Sequence, residues 1–354
     1  LKPLRSEINK AKAAFQTGCT TKESFRLAQL EALVRMLGEH ECDFVDALGR
    51  DLHKPRFETV VSELLLVKNE ALHAINSLKK WMQPQRVERN LSTTLDDCLV
   101  VSEPLGVVLI MGTWCSPVLF CLGPLVGAIA AGNCAVISPS EHTSHTAELL
   151  HRLVPSYLDS SRSFGRMVNL EIINRTRDML WRSGKVAVGG QVIEAEKYIA
   201  PTILTEVVET DPIMQHDVFG PVLPVLTVNT LDEAITFINK QEKPLCVYAY
   251  SSNSKVISRL MSETSSGSFC SNDSVLQSVM VGLPFGGVGA SGMGSYHGRY
   301  SFDAFSHRKS CLLRGTRFEC VTYLRYPPYE DRNLSLMTWA STLSQKSQGW
   351  CQIL

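Results

Sequence analysis

The sequence has no surplus of charge of either sign: Lys and Arg number 35, Asp and Glu number 35, and the formal net charge is zero. A chain that binds nucleic acid neutralises phosphates with a basic field, so this balance sets nucleic acid aside as a partner. The 11 cysteines include no C-x-x-C pair and keep no regular spacing. They read as reduced thiols in a cytosolic-facing compartment, not as a disulfide framework or a zinc centre. No apolar core of a secretory signal stands in the opening LKPLRSEINKAKAAF, which carries charges throughout, and Leu1 in place of Met implies a native start further upstream. There are no internal repeats.

One stretch has no formal charge at all, the 37 residues between Glu103 and Glu141. About 20 apolar residues suffice to cross a bilayer, but Gly112, Pro117, Gly123, Pro124, Gly127 and Gly132 interrupt this run. Its β-rich ends, GVVLIMGTW and NCAVISP, flank the small-residue helix PVLFCLGPLVGAIAAG. That is the pattern of a buried β-α-β unit.

A hydrophobic content of 44% over 354 residues supports two domains and a sizeable core. From Lys22 to about Pro84 the periodicity is helical, with Phe25, Leu30, Leu33, Val34 and Leu37 on one face and Gly38 as a stop. A second helix spans roughly Glu58 to Met82, and LDDCLVVSEPLG then reads as a strand. After the β-α-β unit comes the helix TAELLHRLVPSYL, and VPSYLDSSRSFGRM breaks the alternation. Beyond it the sequence predicts a helix in NLEIINRTRDMLWRSG and strands in GKVAVGG, YIAPTILTEV and PVLPVLTV. TLDEAITFINK and NSKVISRLMSET follow as helices, with PLCVYAYSS and GSFCSND as strands: a second α/β unit. After about Tyr329 the chain is Ser/Thr-rich with little periodicity and reads as flexible. Before Val154 only two strands of a nucleotide-binding sheet are present, fewer than a doubly wound crevice needs.

Two patterns are set aside on the residues themselves. Gly287, Gly289 and Gly292 fit G-x-G-x-x-G, but no acidic residue follows at about 20 residues, and a tight turn explains them. His142, His145 and His151 share one helix, where a solvated first turn explains their spacing better than a metal does, and no metal is expected.

Six segments, EPLGVVLIMGTW, GPLVGAIAAGN, PSE at Pro139 to Glu141, YIAPTIL, VFGPVLPV and LPFGGVGASGMGSYHG, resemble the aldehyde dehydrogenase superfamily in its own order. The resemblance is closest to the class 3, B-type prenylated branch. It implies an α/β aldehyde-dehydrogenase-like fold with an incomplete Rossmann-type cofactor domain, a partial α/β catalytic domain and a small β oligomerisation element. On that model 1–90 is the helical part of the cofactor domain, 91–102 an oligomerisation strand, and 103–160 a truncated dinucleotide-binding domain. The rest of the catalytic domain is 161–282, the C-terminal loop and second oligomerisation strand 283–328, and a flexible prenylated tail 329–354.

The resemblance also marks what is missing. Near Ser160 the family carries further cofactor strands, a G-x-T-x-x-G turn, the segment with the general-base glutamate and the segment with the nucleophilic cysteine. None of these is found in this sequence, and the gap is on the order of a hundred residues. The family's route needs a thiolate, oxyanion donors, a nicotinamide and a base, so no catalytic residue is expected. Where relatives read W-N-Y-P this chain reads WCSP, which puts Cys115, a weak donor, at the oxyanion position; burial as filler explains Cys115 better than a nucleophile does. Vestigial cofactor contacts are expected at Thr113, Trp114, Ser140, Glu141, Asp217 and Phe219, with Ser138 where relatives carry a lysine. The implied cofactor is NAD or NADP, with doubtful binding in this form.

The last four residues, Cys351, Gln352, Ile353 and Leu354, fit C-a-a-X, and the final Leu points to geranylgeranylation of Cys351 and attachment to the cytosolic face of a membrane. The expected function is that of a pseudoenzyme descended from NAD(P)-dependent oxidisers of medium- and long-chain fatty aldehydes. The alternatives are a membrane-tethered, non-catalytic partner of intact relatives, in a homodimer or heterodimer built through the LDDCLVVSEPLG and KSCLLRG strands, and an alternative transcript or gene model of an active enzyme.

Overall fold

A computed structural model describes residues 2–87, 97–158, 171–193, 198–315, 326–327 and 331–341. The junction near Ser160 and the lipidation candidate Cys351 lie outside the described residues.

Helices α1 (Lys2–Gln16), α2 (Glu23–Glu39) and α3 (Glu41–Leu52) open the chain. A continuous helical rod follows, made of α4 (Arg56–Thr59), a π turn at Val60–Leu64 and α5 (Leu65–Trp81). On α2, Leu30, Leu33 and Leu37 are fully buried, as the periodicity requires. The helix does not stop at Gly38; it runs to Glu39, and the non-helical backbone of His40 ends it. A single glycine costs a helix only about 1 kcal/mol, which packing of the apolar face overrides.

Strand β1 (Gln85–Arg86) pairs antiparallel with β2 (Asp97–Pro104). The β-α-β unit is then realised as β3 (Val107–Met111), α6 (Pro117–Ala131) and β4 (Cys134–Ser138), with β3 and β4 paired in parallel from Val107↔Cys134 to Met111↔Ser138. Helix α6 is apolar nearly all round, the signature of a core helix, and Val118, Cys121, Leu122 and Ala128 are fully buried. Gly127 permits close approach, since a Cβ there would lie 2.6 Å from Cβ of Ser301. Asn133 ties the unit together: its Oδ1 accepts from Gly106 N at 2.8 Å and its Nδ2 donates to Phe305 O at 2.9 Å. Helix α7 (Ser144–Tyr157) completes the first hydrophobic core.

Helix α8 (Glu171–Trp181) leads to β5 (Lys185–Val188), β6 (Val192–Ile193), β7 (Tyr198–Ile199) and β8 (Thr202–Thr205). The single strand expected in YIAPTILTEV is two, in different sheets, because Pro201 supplies no ladder donor. PVLPVLTV contributes only the short β9 (Val222–Pro224), which pairs in parallel with β8 while β5 pairs antiparallel on its other side. Met179, Leu180, Leu204, Val207, Ile213 and Val222 form a second, smaller core. Helix α9 (Leu231–Lys240), strand β10 (Cys246–Ala249), helix α10 (Ser254–Glu263) and strand β11 (Ser268–Ser271) follow, with β10 and β11 in parallel.

Helix α11 (Gly298–Ala304) precedes β12 (Ser306–Leu313), which pairs antiparallel with β2 over eight residues in the order β1-β2-β12. The two strands that the resemblance assigns to oligomerisation therefore pair with each other within one chain. The tail is not wholly irregular: Asp331–Ser341 forms helix α12. That segment contains neither Gly nor Pro, and its N-terminal Asp331 complements the helix dipole. Among the described residues no helix is long and apolar enough to cross a membrane.

Candidate functional site

The loop from β3 to α6 carries Thr113, Trp114, Cys115 and Ser116, and buried charges beneath it fix its position. Glu63, fully buried on the π turn, accepts from the α6 amides Val118 N at 2.9 Å and Leu119 N at 3.3 Å through Oε2. Its Oε1 pairs at 2.5 Å with Lys54 Nζ, and Lys54 also donates to Cys115 O at 3.4 Å. The Cys115 thiol lies 3.4 Å from Oγ1 of Thr113. Neither the Thr113 hydroxyl nor the Lys54 ammonium is a base for that thiol.

The Trp114 ring meets Phe219 at a centroid distance of 6.4 Å, so the structure brings together two of the residues expected to contact cofactor. Phe219 is 59% exposed and holds a left-handed φ of 41°, an unusual backbone for an aromatic residue. Its neighbour Asp217 is exposed, and the Asp217 carbonyl accepts from Arg175 at 3.5 Å. Ser140 and Glu141 stand apart, in the turn from β4 to α7, where Ser140 Oγ accepts from His142 N at 3.2 Å and the Glu141 side chain is exposed. The following amides are capped by Asp51, whose Oδ1 accepts from His145 N at 3.0 Å and whose Oδ2 accepts from Thr146 N at 2.7 Å. The His145 ring bonds the same carboxylate.

Sequence reasoning missed Lys54, Glu63 and Asp51. For Glu63 there was a signal: a lone acid inside VVSELLLV must either break the apolar face or find a buried partner.

These contacts test the fit of a dinucleotide. In a doubly wound sheet, phosphate binds free amides at the N-terminus of a helix that follows a strand. After β3 those amides are bonded by Glu63, and after β4 by Asp51. The sequence supplies no replacement glycine turn, and the G-x-G-x-x-G at Gly287 to Gly292 folds around a 3₁₀ turn at Gly289–Ser291, where a Cβ on Gly287 would lie 2.2 Å from Ser291 O. An aromatic pair and an exposed acid remain, without a phosphate cradle among the described residues, and these residues do not fit NAD or NADP as a whole.

Fold and site together define an α/β dehydrogenase-type chain whose dinucleotide half is incomplete. The model of the aldehyde dehydrogenase family matches residues 2–157 and 165–311, and the chain belongs to that family. Human aldehyde dehydrogenase family 3 member B1 is 35% identical over 453 residues, covering 95% of this chain and 97% of that protein. Rat aldehyde dehydrogenase family 3 member A2 is 32% identical over 471 residues, covering 99% and 96%. Such relatives place the chain in class 3. The substrate-bound structure of Staphylococcus aureus AldH superposes with a TM-score of 0.89 at 28% identity, covering 95% of this chain and 99% of that one. An alignment of 453 residues against a chain of 354 leaves at least 99 aligned positions with no residue here. The family match breaks between 157 and 165, where the sequence loses its nucleotide-domain pattern.

Proposed function

We propose that this chain is a non-catalytic class 3 aldehyde dehydrogenase, whose lineage activity is the NAD- or NADP-dependent oxidation of medium- and long-chain fatty aldehydes to carboxylic acids. One observation carries the proposal: the family match is interrupted where the resemblance locates the nucleophilic cysteine and the general-base glutamate. The surviving loop cannot substitute for them. Cys115 has no base among its bonded partners, and losing an oxyanion donor alone costs about a hundredfold to a thousandfold in turnover. The purified full chain, given hexanal or hexadecanal with NAD or NADP, is expected to form no reduced cofactor above a protein-free blank. Turnover that leaves an acyl adduct on any cysteine would refute the proposal.

The C-a-a-L ending supports attachment to the cytosolic face of a membrane through geranylgeranylated Cys351. Mass spectrometry of the C-terminal peptide from cells tests it, and an unmodified free thiol throughout would reject it. A second reading, pairing with itself or with an intact relative, draws support from β12, the outer strand of its sheet, where Leu312 and Leu313 are 56% and 59% exposed. Failure to co-purify with itself or a full-length class 3 relative at micromolar concentration would count against that reading.

A further inference from the structure

The parallel pairing of β10 and β11 gathers two thiols that lie far apart in sequence. Cys246 pairs with Ser268 and Tyr248 with Cys270. Side chains alternate along a strand, so Cys246, Tyr248, Ser268 and Cys270 share one face of this two-stranded sheet. Cys246 Sγ lies 2.9 Å from Ser268 Oγ. Gln277, on the 3₁₀ turn Leu276–Ser278, reaches over the same face: its Nε2 donates to Tyr248 Oη at 3.1 Å and lies 3.7 Å from Cys246 Sγ. Burial first, then the hydrogen bond with Cys246, pushes the Tyr248 hydroxyl up, and the nearby Cys270 thiol adds to the effect.

Gln277 is only 9% exposed, and its Oε1 has no partner. Turning the amide over would only exchange the orphan, giving Oε1 the hydroxyl and thiol and stranding Nε2. A buried amide oxygen without a donor is costly to leave unmatched, and it is free to serve as a ligand atom beside the two thiols. Direct oxidation of the two thiols does not supply it. Diagonal neighbours on one sheet face lie roughly 7–8 Å apart, at or beyond the Cα separation that a disulfide spans without backbone movement. An ion bonded to each sulfur at about 2.3 Å bridges a gap that an S–S bond of about 2.05 Å does not.

We propose that Cys246, Cys270 and the amide oxygen of Gln277 form a site for a thiophilic divalent cation of the zinc and cadmium class. On binding, each thiol releases its proton to solvent and two thiolates balance the 2+ charge. Gln277 supplies the oxygen donor, and water or the Tyr248 hydroxyl completes a tetrahedron. The site uses two thiols and an amide, and among the described residues no group of three or more His, Cys, Asp or Glu gathers, here or elsewhere.

The probe is Zn²⁺ alone, at one equivalent, added to the reduced full chain before timed alkylation and peptide mass spectrometry. Zn²⁺ is expected to slow alkylation of Cys246 and Cys270 at least tenfold and to leave the exposed Cys42 unchanged. Equal protection of all three, or of none, would overturn the proposal. Titration with Cd²⁺, followed by its thiolate charge-transfer band, gives a second readout: Cys246→Ser and Cys270→Ser should each weaken the tightest site at least tenfold with an unchanged circular dichroism spectrum, while Cys42→Ser should not. Retention of full affinity in the Cys246→Ser/Cys270→Ser double variant would overturn the site. Retention of full affinity in Gln277→Leu would equally overturn the proposal, since the amide oxygen is one of its ligands.

Discussion

At the scale of single residues, the site loop rests on a buried charge pair that a residue list does not display. Lys54 and Glu63 come from segments nine positions apart, and only the fold shows that both are desolvated and that Glu63 also serves two α6 amides. Removing one partner of such a pair typically costs about 3–5 kcal/mol, because the other charge stays buried alone. Glu63→Ala should therefore lower the urea midpoint with little change in m, and Lys54→Met/Glu63→Met should lose less than either single change. Cys121 gives a pH prediction. Burial, followed by the neighbouring Glu63 carboxylate, pushes its thiol from 9.0 up to about 12. Between those values the unfolded chain has released a proton that the folded chain keeps, so stability falls as pH rises through that window, by about 1.4 kcal/mol per pH unit. Tyr296, pushed to about 12 by burial and then Glu70, adds a loss of the same sign above its ordinary value of 10.0. Denaturation at pH 8 to 11 should show the decline, and Cys121→Ala should flatten its lower part. Alkylation at pH 8 should label Cys42 and spare Cys121 until the chain unfolds.

At the scale of elements, most of the pattern was legible where packing and periodicity agree. The uncharged run announces β3, α6 and β4 because the core helix α6 has no water-facing side to mark with charge, although the two strands are not buried on both faces as the run suggested: Leu109 and Met111 of β3 are exposed. What escaped were features set by contact. Gly38 and Gly127 look alike in sequence, yet Gly38 faces open space on α2, whereas a Cβ on Gly127 would lie 2.6 Å from Ser301 and 3.1 Å from Phe305. The same substitution should therefore have opposite signs: Gly38→Ala should stabilise by about 0.5–1 kcal/mol through helix propensity, and Gly127→Ala should destabilise by about 1–3 kcal/mol through overpacking. Urea denaturation of the two variants side by side at low protein concentration checks this, and a gain at both positions would show that α6 and α11 do not pack as closely as described. Helix α12 was hidden for another reason. Its apolar residues Leu334, Leu336 and Trp339 are exposed and Met337 is only half-buried, so the helix is not set by a stripe packed against the core, the signal that periodicity reads.

At the scale of the whole molecule, the sequence showed the interruption because the order of family motifs survives around it, but not which surfaces it uncovers. Strand β3 answers that. Ile110 faces the core at 4% exposure, while Leu109 and Met111 on the opposite face are 54% and 74% exposed, beside Val136 and Ser138 of β4. A doubly wound sheet covers both faces with helices, and among the described residues β3 and β4 pair only with each other. Apolar strand surface of this kind is an aggregation hazard. The chain alone should accordingly scatter light on concentration and show no cooperative transition at high temperature. Met111→Glu combined with Leu109→Thr should raise the soluble fraction while leaving the far-ultraviolet circular dichroism unchanged, because both side chains point away from the core. Ile110→Glu, one residue along on the other face, should abolish folding, since an unpaired carboxylate would replace core packing. If the outward-facing pair gave no gain in solubility while the parent stayed monodisperse, Leu109 and Met111 would have to be covered in the free chain.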